Sequence, residues 1–248
     1  MPSAITATFT RAWKACRITI TTITSTESGF TTLRRGARIA PRVLAPGRIT
    51  LLRSQAGPLA GDHDRVEIVV ESGVLTVEPI AATLALPGLA RTVLELDVTV
   101  GDGARLVLED APLIVAEGAD VLRTTTIRLG VGASAIVRDL VVLGRAGEGP
   151  GRLESVLRVE GPDGVILHDA LRIDPGEDDA YVALAPGHRA IGMVATFGER
   201  RVSRVERENV DGRGAETRGG ELADGAGHLW RASGASAADV VAQLARVR

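Results

Sequence analysis

Three aspartates stand where charge is out of keeping with its neighbours, and a carboxylate so placed can hold a cation or tie down a turn. Asp139 interrupts the apolar run Ala135-Ile-Val-Arg-Asp-Leu-Val-Val-Leu143. Asp62 lies in Gly61-Asp-His-Asp64, after a Gly/Pro turn and before the β-branched run Arg65-Val-Glu-Ile-Val-Val70. In extended chain Asp62 and Asp64 point to the same side. Asp169 follows His168 at the end of Gly164-Val-Ile-Leu167. A buried carboxylate without a partner costs several kcal/mol. Two readings are therefore open: the acids are turn carboxylates and arginine partners, or they line a wet interior path that passes cations or water.

Other site chemistry is sparse. His63, His168, His188 and His228 share no i, i+2 or i, i+4 spacing, and Cys16 is the single cysteine, so spacing offers no transition-metal cage and no intrachain disulfide. Nucleophile elbows, H-E-x-x-H, P-loops and EF-hand loops are absent. Gly130-Val-Gly132-Ala-Ser-Ala135 matches the G-x-G-x-x-A turn of dinucleotide-binding folds, which needs a helix after it. Here the continuation is β-branched and Gly144 closes it, so the motif reads as a turn between strands. An NAD-dependent oxidoreductase would need far more helix than this pattern allows.

The elements that must position the acids are strands. Alternation dominates the first 170 residues, as in Arg17-Ile-Thr-Ile-Thr-Thr-Ile23, with Gly, Pro and Asp between runs. A quasi-repeat is superposed on it. Ile68-Val-Val-Glu-Ser-Gly73-Val-Leu-Thr-Val77, Val98-Thr-Val-Gly-Asp-Gly103-Ala-Arg-Leu-Val-Leu108 and Ile127-Arg-Leu-Gly-Val-Gly132-Ala-Ser-Ala-Ile-Val137 align on glycine, and Leu157-Arg-Val-Glu-Gly-Pro-Asp-Gly164-Val-Ile-Leu167 is a looser copy. Each reads as a hairpin that buries an apolar face only when stacked on the next, the logic of a solenoid. The expectation is one all-β domain over residues 1–248, a β-helix-like stack of short strands with one or two short helices. Its strand-rich part covers 10–197, a polar, exposed and mobile segment 198–228, and a C-terminal helix about 236–247. Ser236 is that helix's N-cap with Asp239 three residues on, and Val240, Val241, Leu244 and Val247 form its apolar face.

Composition sets outer limits. With 248 residues, 45% of them hydrophobic and a formal charge of −2, the chain is expected to be a globular protein without nucleic acid as a partner. The N-terminus does not read as a secretory signal, and the longest uncharged run, Pro79 to Ala90, is too short to span a bilayer. No membrane and a cytoplasmic location are expected.

Three stretches together resemble the urease accessory protein D family. Leu59-Ala-Gly61-Asp62-His-Asp-Arg-Val-Glu-Ile looks like that family's Gly-Gly-Asp turn and strand. Asp139-Leu-Val-Val-Leu-Gly-Arg145 is similar to its central W-[DE]-x-x-x-L-G-R segment, and Ile166-Leu-His-Asp169-Ala-Leu-Arg-Ile-Asp174 to its L-L-x-E-R-L-x-L strand. Gly187-His-Arg-Ala-Ile-Gly-Met-Val-Ala-Thr-Phe echoes a later strand. The likeness covers roughly residues 10 to 197 in order. Departures are Arg138 in place of the tryptophan before the acid, and Leu108-Glu-Asp-Ala-Pro112 in place of W-L-P-Q-E. The aromatic proline segment is reduced to Ala40-Pro-Arg-Val-Leu-Ala-Pro-Gly47, and a Thr-Lys-Val-Tyr-Arg-like stretch after Val77 is missing. The chain thus looks like a divergent, shortened member.

The resemblance implies a non-catalytic scaffold with no tightly bound cofactor. It would bind urease accessory protein F and, through it, the GTPase accessory protein G, dock this assembly on apo-urease, and pass nickel in transit through an interior tunnel. Carried over by position, the tunnel acids fall on Asp62, Asp139 and Asp169. The competing expectation is a stand-alone β-stack binding module without a metal role.

Overall fold

The computed structural model describes residues 19–175, 187–198 and 216–246. Two sheets face one another. The first has seven strands in the order β14 (Gly164–Ile173), β13 (Arg152–Gly161), β11 (Asp120–Leu129), β8 (Thr92–Val100), β5 (His63–Val70), β1 (Thr19–Thr26) and β2 (Gly29–Arg34). The second runs β16 (Glu216–Glu221), β17 (Gly227–Gly234), β15 (Ala190–Phe197), β12 (Ser134–Leu143), β9 (Arg105–Glu109), β6 (Val74–Val77), β4 (Arg48–Arg53) and β3 (Ile39–Ala45). Two short strands, β7 (Thr83–Ala85) and β10 (Leu113–Val115), join it where β10 pairs with the far end of β12. The expected all-β, solenoid-like stack of short strands is the architecture observed.

The repeat in the sequence is the length of one coil. Parallel pairing sets Ile68 beside Val98, Val98 beside Ile127 and Ile127 beside Val159, four fully buried side chains in one inward-facing ladder. Burying such a side chain contributes roughly 1.5–3 kcal/mol, which is what fixes this register.

The glycine turns correct the hairpin expectation at three of four places. Around Gly73, Gly103 and Gly132 the chain crosses from the first sheet to the second, β5 to β6, β8 to β9 and β11 to β12, and the turns are arches. Of the four, only the turn around Gly164 closes an antiparallel hairpin, between β13 and β14. The arches stack: Gly101 N donates to Val70 O and Gly130 N to Val100 O, both at 2.8 Å. A Cβ on Gly130 would lie 2.4 Å from Asp102 Oδ1 and 2.8 Å from Asp102 N, so the first glycine of the G-x-G-x-x-A run is there to let arches pile up. The next element is the strand β12, and no nucleotide fold is built.

Helix α1 (Ala237–Leu244) begins where expected, with Asp239 N donating to Ser236 Oγ at 3.2 Å. It buries Val240 and Leu244 against Ala190, Val194, Trp230 and Ala232. Val241 instead points outward, 53% exposed, and Val247 lies outside the described residues. Of the polar run 198–228, residues 199–215 lie outside them too. Its described part is largely exposed and carries β16, a short 3-10 turn at Ala223–Gly225 and the start of β17. Backbone pairing with β17 rather than apolar content orders it, so alternation gave no sign of it. No helix among the described residues is long and apolar enough to cross a membrane.

Candidate functional site

Alternation along each strand decides which residues enter the space between the sheets, and a few of those residues are polar. On β12 the inward row is Ala135, Val137, Asp139, Val141 and Leu143; on β11 it is Val121, Arg123, Thr125, Ile127 and Leu129. Pairing aligns the exceptions: Asp64 on β5 stands beside Leu94, Leu94 beside Arg123, and Arg123 beside Ser155 of β13. One rung on, Leu157 of β13 stands beside Asp169 of β14. Across the gap, Asp139 pairs in register with Met193, and Met193 with Arg231 of β17. The result is a polar belt between two apolar clusters, one containing Ile68, Leu108, Ile127 and Val137, the other Leu113, Val121, Val141 and Leu153. It lies at the level where β12 exchanges its partner β9 for β10.

The belt is held by ion pairs. Asp139 accepts both Arg123 Nη1 at 2.7 Å and Nη2 at 2.5 Å, and Arg123 Nε donates to Ser155 Oγ at 3.0 Å. Asp110 Oδ2 lies 3.8 Å from the same Nη1. Asp169 is clasped by Arg231. At the other end Asp64, 4% exposed, accepts Arg38 Nε at 2.6 Å and Arg53. Asp62 stands outside it, its Oδ2 accepting Leu59 N at 2.9 Å, with Arg38 at 3.5 Å and Arg53 at 3.7 Å. Two cavities flank Arg123. One, of about 50 Å³, is lined by Asp139, Asp169, Arg231 and Ser155; the other, of about 120 Å³, by Asp64, Arg53, Leu94 and Thr124; Asp110, Arg123 and Thr125 line both. Each has room for water, which needs about 10–15 Å³.

Of the three acids singled out in the sequence, the structure brings Asp139 and Asp169 to one cavity and leaves Asp62 at the far end of the belt, as a turn carboxylate shared with two arginines. The belt residues missed were Asp110, Arg123 and Arg231, and Asp64 was noted beside Asp62 but not taken as a site residue. Arg123 and Asp64 carried the signal that exposed Asp139, a charge in an inward-facing row; Asp110 sits in a connection and gave none. Arg138 faces outward to Glu109. Among the described residues no three His, Cys, Asp or Glu side chains form a group that could hold a metal ion.

Electrostatics single out Asp110. Desolvation pushes its pKa up to about 6, against Arg123, which lowers it, and with Asp139 adding to the rise. For Arg123, burial works against the charge, but Asp139 and then Asp110 outweigh it and hold the guanidinium above its ordinary value. Because the folded chain binds the Asp110 proton more tightly than the unfolded chain (3.8), this group's stabilising effect is complete at acid pH and is lost as pH rises from about 4 to about 6. Asp110→Asn is therefore expected to raise the unfolding free energy by about 1 kcal/mol at neutral pH, after allowing for the screening of a one-third-exposed carboxyl, with no gain below about pH 4. Urea titrations at the two pH values check this; a variant less stable at neutral pH refutes it.

The Leu143-Gly144-Arg145 stretch has a structural task. Gly144 has φ 74°, and a Cβ there would lie 2.2 Å from Gly149 O. Arg189 Nη2 donates to the carbonyls of Leu143 (3.1 Å), Arg145 (2.8 Å) and Glu148. The motif closes the loop behind Asp139's strand.

Residues 29–248 match the sequence model of the UreD urease accessory protein family. The urease accessory protein UreD of Streptomyces coelicolor is 42% identical over 158 residues, 60% of this chain and 61% of that protein. That of Frankia alni is 43% identical over 128 residues, 50% and 43% of the two chains, and that of Streptomyces avermitilis 39% over 152 residues, 59% and 60%. The chain thus spans less than two thirds of the length of these relatives.

Proposed function

Because the chain belongs to the UreD family of urease accessory proteins, we propose that it serves urease maturation as a non-catalytic scaffold whose polar belt conducts nickel toward the urease active site. It docks urease accessory protein F, and through it the GTPase accessory protein G, on apo-urease. The observation that carries this reading is the belt itself, a row of carboxylates and arginines lying between two apolar clusters and beside two cavities.

The donor set suits cargo better than a resident ion. Ni²⁺ held by imidazole or thiolate would be trapped, whereas carboxylate oxygen and water hold it weakly enough to release it. Hydration of the two cavities reduces the burial cost of the charges. Asp169 and Arg231, both partly exposed, open one end of the belt, and Asp62 marks the other.

Co-purification tests the scaffold. Tagged full-length chain, co-expressed with apo-urease and accessory proteins F and G, is expected to retain accessory protein F and urease through a size-exclusion column. Retention of neither sinks the reading and leaves a stand-alone binding module.

A further inference from the structure

We infer that the Arg123 guanidinium is a displaceable plug, occupying the place between Asp139 and Asp110 that a passing cation would take and closing the way between the two cavities. The inference rests on the conduit reading above and adds what holds the conduit shut. Nη1 of Arg123 lies 2.7 Å from Asp139 Oδ1 and 3.8 Å from Asp110 Oδ2, so one positive group faces two carboxylates on different segments. The same side chain lines both cavities, and its anchor on the third side is the neutral hydroxyl of Ser155.

The pattern recurs along the belt: Asp64 is closed by Arg38 and Arg53, and Asp169 by Arg231. A guanidinium bound to both oxygens of Asp139 neutralises its charge and fills the space that faces Asp110, so a second cation there meets a positive group at contact distance. Ni²⁺ and Arg123 therefore compete, and the apparent affinity for the metal is the intrinsic one reduced by the fraction of time the guanidinium is away. In this conformation the path is shut by its own arginines, and a partner that draws Arg123 aside would open it.

Removing the plug should turn the gap into a measurable site. In equilibrium dialysis of the full chain against Ni²⁺ in neutral buffer, Arg123→Gln is expected to bind at least about tenfold tighter than the wild type. Arg123→Lys, which keeps a cation, should stay near the wild-type value, and Arg123→Gln with Asp139→Asn should lose the gain. Arg231 is 39% exposed, so Arg231→Gln keeps its fold and, by releasing Asp169, should tighten binding about threefold. Failure of folded Arg123→Gln to tighten binding overturns the proposal. So does failure of Arg231→Gln, should Arg123→Gln not fold, and so does an equal gain when Asp139 is also replaced. Urease takes no part in this readout, so its failure leaves the conduit reading standing, and that reading fails separately if urease receives its nickel regardless of the belt acids.

Discussion

Replacing Asp139 with alanine is expected to lower the unfolding free energy by about 3–5 kcal/mol, more than any other single change in the belt. Asp139 is the carboxylate that meets both terminal nitrogens of Arg123, and the Arg123 side chain is only 9% exposed. Truncation strands a cation between the sheets. Asp110, 3.8 Å away, compensates in part, which sets the loss nearer the lower figure. The double replacement Arg123→Met with Asp139→Leu should return to within about 1 kcal/mol of the wild type, because an apolar pair of similar volume often holds a core as well as a buried ion pair does. Ser155 Oγ, left without Arg123 Nε, keeps that recovery incomplete. Urea unfolding of the three proteins decides it: a double variant as unstable as the single one would mean the loss comes from packing and not from a stranded charge. The expected recovery also has a functional corollary. If an apolar pair serves the fold nearly as well, stability alone does not account for the belt.

The second large effect concerns metal delivery. Asp139→Asn with Asp169→Asn keeps side-chain volume and one oxygen acceptor each for Arg123 and Arg231 while removing two carboxylate charges from the cavity they line. With both acids neutral, Asp110 alone faces Arg123 and Arg231 in that cavity, a net positive lining that repels a divalent cation, so the double variant should lower the nickel content of co-expressed urease by about tenfold or more, with the accessory complex still assembling. Metal analysis of purified urease, beside size-exclusion of the complex, is the measurement. Normal nickel in urease from cells carrying the double variant would remove the conduit. Asparagine is preferred to alanine here, since it fills the same volume and still accepts a hydrogen bond from Arg123.

Much of the fold was legible because its signals are local. Alternation marked the strands, the spacing of Gly73, Gly103, Gly132 and Gly164 gave the coil length, and Ser236 with Asp239 started the helix. Less legible was what each turn connects. A glycine turn between two β-branched runs looks the same whether the second strand returns to its own sheet, as β14 does, or crosses to the other, as β6, β9 and β12 do. The choice depends on the preceding coil, whose Val70 and Val100 carbonyls receive the next arch. Strand β16 escaped notice because pairing with β17 supports it, and its sequence Glu-Thr-Arg-Gly-Gly-Glu has no apolar period.

By itself the sequence determined that strands would stack, that Asp139 would face inward from an apolar run, and that the chain is kin to a urease accessory family. Each follows from the pattern of neighbours along the chain. Only the tertiary structure decided which charges meet. Arg123 and Asp139 lie sixteen residues apart on opposite sheets, and Asp169 and Arg231 sixty-two apart, so no local spacing announces either pair. Parallel register carries Asp64, Arg123 and Ser155 onto one level, and the connection between β9 and β10, where β12 changes partners, leaves Asp110 facing it. A carboxylate's role depends on the cation opposite, and three-dimensional packing chooses that cation.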